Sequence, residues 1–92
     1  MSEIHKTYEQ TPGMQVHEAD DGLIVFDPGT DRIHHLNYTA GVVYEFCNTT
    51  HTQPELAKKV ATLYSLDAPP VEDVDQCLSQ MVSDGLLQSK DA

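Results

Sequence analysis

Cationic side chains are scarce in this chain of 92 residues: five lysines and arginines stand against fifteen aspartates and glutamates, giving a formal charge of −10 at pH 7. Such a surface repels phosphate backbones and anionic lipid headgroups, so neither nucleic acid nor a membrane is an expected partner. Long apolar runs are missing as well. No stretch approaches the roughly 20 residues that span a bilayer, and Met1-Ser2-Glu3-Ile4-His5-Lys6 lacks the basic-then-apolar order of a signal peptide. The expected location is therefore the cytoplasm. Cysteine is limited to Cys47 and Cys77, each alone in a separate apolar helical pattern, which predicts two reduced core thiols rather than a disulfide or redox pair.

Catalytic motifs are equally sparse. There is no glycine-rich phosphate loop and no nucleophile elbow, and Ser65 and Ser83 have no context that would activate them. His34 and His35 are adjacent on a presumed strand, so their side chains leave on opposite faces and cannot share an ion. His5, His17 and His51 fall in an arm, a strand and a loop, with no pair at the four-residue spacing of a helical zinc motif. Asp20, Asp21, Glu72, Asp73 and Asp75 sit at turns and at the start of a helical pattern, where negative charge complements the helix dipole rather than forming a catalytic dyad. No catalytic residue, metal or cofactor is expected.

What is present is a globular pattern, 39% apolar, with length for one domain and one modest core. Residues 1–12 carry no periodicity and read as a flexible arm, residues 13–88 as the domain, and residues 89–92 as a tail. From Met14 the pattern alternates, with Met14 and Val16 on one face and Gln15 and His17 on the other. Asp21-Gly22 then separates this run from Leu23-Ile24-Val25-Phe26-Asp27, a hairpin signal in which glycine takes the positive φ of a tight turn. Asp27-Pro28-Gly29-Thr30-Asp31 is a second turn, with Gly29 expected in the left-handed position. A third strand follows at residues 32–36. Short connections favour a sequential antiparallel meander with the first and third strands as edges.

Three helices come next. Asn37 is a fitting N-cap for residues 38–47, with Ala40, Val43, Phe46 and Cys47 toward the core. Thr52 and Glu55 form a capping-box pattern opening a helix to Tyr64, with Leu56, Val60, Leu63 and Tyr64 as its buried stripe. Pro69-Pro70 closes the next loop, and Val71 begins a helix on which Val74, Leu78 and Met81 recur, ending at Gly85 as a C-terminal cap. The fold class is thus α+β, winged helix-turn-helix-like, a three-stranded antiparallel sheet followed by three helices.

The run Ile33-His34-His35-Leu36-Asn37-Tyr38-Thr39-Ala40, the Glu55-Leu56-Ala57 helix, Asp73-Val74 with Leu78, and Asp84-Gly85-Leu86-Leu87 together resemble the PqqD-like family. These are RiPP recognition elements, small winged-helix domains that bind the leader segment of ribosomally made peptides. The resemblance runs from about Met14 to Gln88. It departs after the first helix, where many relatives have an acidic residue or asparagine followed by glycine and this chain has Asn48-Thr49-Thr50.

The resemblance implies a non-catalytic peptide chaperone. A precursor leader would add as a strand to the third strand and lie in a groove against the third helix, presented to a modifying enzyme such as a radical SAM maturase. Backbone pairing supplies affinity and side-chain pockets supply selectivity. Carried over by position, the strand contributes Arg32, Ile33, His34, His35 and Leu36, and the helix some of Val71, Val74, Asp75, Leu78, Met81 and Val82. Which helix face is groove and which is core stays open, as does a homodimer through an exposed edge. Residues 1–12 are also a candidate cover for the groove. Two other readings remain: a protein-interaction domain whose partner is not a precursor, and a winged-helix DNA-binding regulator. The latter is opposed by a third helix with no lysine or arginine and with Glu72, Asp73, Asp75 and Asp84.

Overall fold

The computed structural model describes residues 6–91. The elements run β1 (Lys6–Gln10), β2 (Gln15–Ala19), β3 (Gly22–Asp27), β4 (Arg32–Asn37), α1 (Tyr38–Phe46), β5 (His51–Thr52), α2 (Gln53–Tyr64), α3 (Val71–Ser83) and β6 (Leu87–Asp91). They form an α+β fold with two three-stranded antiparallel sheets, ordered β2-β3-β4 and β5-β1-β6. The first is the expected meander, with β2 and β4 at its edges, and the three expected helices follow it.

The second sheet was not expected. Residues 6–10, read as part of a flexible arm, pair with β5 on one side and with β6 on the other. Tyr8 enters the core, and the main chain continues the attachment through Gln10 N–H to the Cys47 carbonyl (2.9 Å) and Thr11 N–H to the Leu86 carbonyl (3.0 Å). The expected tail likewise supplies Ser89, Lys90 and Asp91 to β6. A five-residue strand with one core apolar residue is too short to show an alternation, and its partners lie in the middle and at the far end of the chain. Residues 1–5, with His5 and the start of the expected arm, and Ala92 of the expected tail lie outside the described residues.

The turn glycines act differently from expectation. Asp20-Asp21 forms the two-residue loop between the Ala19↔Gly22 pair, and Gly22 is already in β3 at φ 154°. Its hydrogen is required by β4: a Cβ there would lie 1.9 Å from the Leu36 carbonyl oxygen. In the second turn Asp31, not Gly29, takes the left-handed conformation (φ 62°), while Gly29 N–H donates to Asp27 Oδ1 at 2.9 Å.

Helix ends follow local chemistry. Asn37 accepts from Ala40 N–H at 2.9 Å, and the Thr52/Glu55 capping box is complete, with Thr52 N–H donating to Glu55 Oε1 at 2.8 Å. Past α3, Gly85 (φ 81°) donates to the Val82 carbonyl and Leu86 to the Met81 carbonyl, the paired bonds of a Schellman ending. The core is built from Leu23, Val25, Val43, Tyr44, Cys47, Leu56, Val60, Val74, Leu78, Met81 and Leu86. Ala57 and Ala61 face inward on α2 in place of the expected Leu63 and Tyr64, both exposed. The small alanines let α2 approach closely, and the core ends a turn before the helix does. Cys47 is fully buried, and burial pushes its thiol up to about 12.

Candidate functional site

The open edge of β4 stands beside α3, and the two enclose a groove of about 530 Å³. The backbone chemistry of that edge follows from the register. Across a two-residue loop, Ala19 and Gly22 form a hydrogen-bonded pair, and along an antiparallel strand successive residues turn their N–H and C=O to alternate sides. Gly22, Ile24 and Phe26 therefore bond toward β2, and Leu23, Val25 and Asp27 toward β4. Their partners Leu36, His34 and Arg32 use their polar groups on β3. Ile33 and His35 are left facing the open edge, with two N–H donors and two C=O acceptors.

Side chains follow the opposite logic. Ile33 stands 71% exposed on the rim. His35 is also exposed, and its Nε2 lies 2.9 Å from Asp21 Oδ1 across the hairpin. His34 turns inward with 15% of its side chain accessible, its Nδ1 4.0 Å from Asp84 Oδ2 and its Nε2 buried without a hydrogen-bond partner. Leu36 is in the core and reaches only the groove floor. Arg32 begins β4 opposite Asp27 and does not line the groove.

On α3 the groove face is Gln76, Cys77, Gln80, Met81 and Asp84, steps that keep one side of a helix together. Among the expected helix contributors only Met81 lies there. Val74 and Leu78 are 0% exposed in the core, and Val82 is partly buried against it. Asp75 is exposed on another face, close enough to Tyr8 of β1 to help raise that phenol's pKa after burial itself. Val71, half exposed, lines a separate depression with Pro69, Pro70, Glu72 and Asp73. These are corrections to the expected lining: Val74, Leu78 and Val82 are spent on the core, so the groove receives the flank beside that stripe, while Val71, Asp75 and, on the strand, Arg32 lie outside its lining. Asn37 and Ala40 from the start of α1 close the floor.

A signal for this face is present in the sequence. Gln76, Cys77 and Gln80 are uncharged residues beside an acidic run, and they recur at helical spacing. The Cys77 thiol is pushed up, first by burial and then by the Asp73 carboxylate. Gln80 Nε2 donates to Asp84 at 3.2 Å, which orients this carboxylate at the groove. The site thus combines an unpaired strand edge, a floor of Ala40, Cys77 and Met81, and polar groups at both ends. It is chemically suited to holding an extended peptide.

Among the described residues no three histidine, cysteine, aspartate or glutamate side chains gather as a metal site, and no helix is long and apolar enough to cross a membrane. No curated protein and no solved structure matches the chain. Residues 22–87 match the family model described as coenzyme PQQ synthesis protein D (PqqD), a span that runs from β3 into the start of β6 and contains both walls of the groove. A match over most of its length, covering the whole site, establishes that the chain belongs to the PqqD family.

Proposed function

We propose that this domain is a non-catalytic carrier that captures the leader of a ribosomally synthesised precursor on β4 and presents it to a separate modifying enzyme, such as a radical SAM maturase. PqqD is a family of RiPP recognition elements, and membership supports a peptide-binding role in precursor processing. The observation that carries the finer reading is the open edge at Ile33 and His35 directly beside the α3 face of Gln76, Cys77 and Gln80. The leader forms up to four backbone hydrogen bonds there, which are tolerant of sequence, and inserts alternate side chains over Ala40, Cys77 and Met81. Asp84 at one end of the groove selects a cationic leader side chain. An affinity of about micromolar, roughly 8 kcal/mol, is what one added strand with a few pocketed side chains provides. Such binding raises the local concentration of the precursor at the enzyme.

Leader titration followed by two-dimensional NMR tests this, using the precursor encoded beside the gene. Shifts concentrated at residues 33–37, 76–77 and 80–84 are expected. Cys77 adds a chemical readout, since its thiol lies in the groove while Cys47 is sealed in the core. Bound leader should slow Cys77 alkylation. An unchanged alkylation rate together with no shifts at millimolar leader would refute the proposal.

A further inference from the structure

Five lysines and arginines carry the chain's fixed positive charge, and two of them, Lys58 and Lys59, are neighbours on α2. Lys90, by contrast, is paired with Glu9 at 3.2 Å. Among the described residues Lys58 and Lys59 form no ion pair within 4.0 Å. They border a depression of about 650 Å³, larger than the β4–α3 groove, whose apolar walls are Phe46 of α1 and Leu63 of α2; the carboxylate of Glu55, which also lines it, is held by Thr52 N–H in the α2 capping box, leaving the two lysines in excess. Lys59 Nζ sits 5.6 Å from the centre of the Phe46 ring, and Leu63 is 53% exposed. Toward the other end of the same helix pair, the exposed Tyr38 and Tyr64 pack edge to face at 6.2 Å. Leu63 and Tyr64 continue the apolar spacing of α2 beyond the core, so the fold leaves their apolar surface unused.

We infer that this α1–α2 face docks the modifying enzyme, which meets it with an acidic segment whose apolar side chains fill the Phe46–Leu63 depression and whose carboxylates pair with Lys58 and Lys59. The inference rests on the reading that the domain hands a leader to a separate enzyme. Charge complementarity selects the occupant. With a formal charge of −10, the domain repels an acidic segment over most of its surface and attracts it where two lysines adjoin exposed apolar walls. A cationic leader is drawn instead to Asp84. The lining residues of the two depressions do not overlap, so the leader and the enzyme bind at the same time without competing. A second copy of this chain is a poorer occupant, because it brings the same net negative charge.

The test uses the full chain and the purified modifying enzyme encoded beside it, with leader affinity measured in parallel. The Lys58→Glu/Lys59→Glu variant should bind the enzyme about tenfold more weakly and lose its salt dependence, with leader affinity unchanged. Leu63→Asp, at an exposed position that threatens folding less, should weaken enzyme binding in the same direction, and Lys58→Arg/Lys59→Arg should preserve it. Unaltered enzyme affinity in the glutamate variant overturns the inference, as does a wild-type domain that does not bind the enzyme at all. Sedimentation showing a wild-type dimer that the glutamate variant abolishes overturns it too, by giving the face to a second copy. Lysine-dependent enzyme binding without any leader binding would sink the leader reading and leave this docking face standing.

Discussion

The two sheets have the same number of strands and opposite construction. β2, β3 and β4 follow one another through short turns, and their register is set within about 20 residues of chain. The other sheet joins residues from both ends of the chain around β1, with β5 between two helices as its third member. The local sheet leaves β4 open beside α3. The long-range sheet closes the molecule, burying Tyr8 and tying β1 to the Cys47 and Leu86 carbonyls. One sheet presents an edge for use, and the other fixes the ends so that the edge stays in place.

The sharpest way to break this division is to damage the closing sheet. Tyr8→Ala empties a core position, and truncating a buried aromatic costs roughly 3–5 kcal/mol. Removing residues 1–11 should cost more, because the middle strand of the sheet goes with them. Urea denaturation reads both. The protein that remains folded in Tyr8→Ala should bind leader with wild-type affinity, since β1 does not line the groove. Tighter leader binding by the shortened chain would instead restore the idea that this segment covers the groove.

The same contrast explains what was legible. Asn37, the Thr52/Glu55 box and Gly85 marked helix ends by local hydrogen bonding, and alternation marked β2, β3 and β4, so the meander and the three helices could be read in order. β1 and β6 were invisible because each becomes a strand only through distant partners, β1 with β5 more than 40 residues away and β1 with β6 more than 75 residues away. The groove was half legible. The strand side followed from β4 being an edge, but the helix side depended on how α3 rotates against the core. Apolar spacing finds the face a helix buries, and here that face is Val74, Leu78 and Met81; the neighbouring flank of Gln76, Cys77 and Gln80 carries no apolar signal.

Proline placed along β4 sharpens the distinction between its two sides. Ile33 turns its N–H to the open edge, so Ile33→Pro should fold with little loss and bind leader at least about tenfold more weakly. His34 turns its N–H to β3, so His34→Pro removes a ladder bond and should destabilise the fold clearly more than Ile33→Pro does. Thermal unfolding and leader titration on the two variants decide the register. Equal destabilisation by both would show that the edge assignment is wrong. Gly22→Ala acts on the same pairing from behind. Its methyl group meets the Leu36 carbonyl at 1.9 Å, so β3 and β4 must separate locally, at a cost of about 2 kcal/mol and with weaker leader binding.

The smallest effect lies where the closing sheet hands over to the helices. Thr52 ends β5 and caps α2, so Thr52→Ala should cost about 1 kcal/mol through the lost cap. Glu55 completes the box, and its carboxyl is held below the usual range chiefly by the Thr52 backbone N–H, then by the Thr52 hydroxyl, with smaller help from His51 and Lys59. A carboxyl whose pKa is lower in the folded than in the unfolded chain contributes stability above its unfolded value, and the contribution fades as pH falls through the folded one. Acid should therefore destabilise the wild type more than Glu55→Gln, whose amide does not titrate. The gap in melting temperature between the two should shrink steadily as pH is lowered from neutral through the carboxylate range. Parallel melting curves across that range would mean that the Glu55 charge adds nothing to the cap, and that Thr52 alone couples β5 to α2.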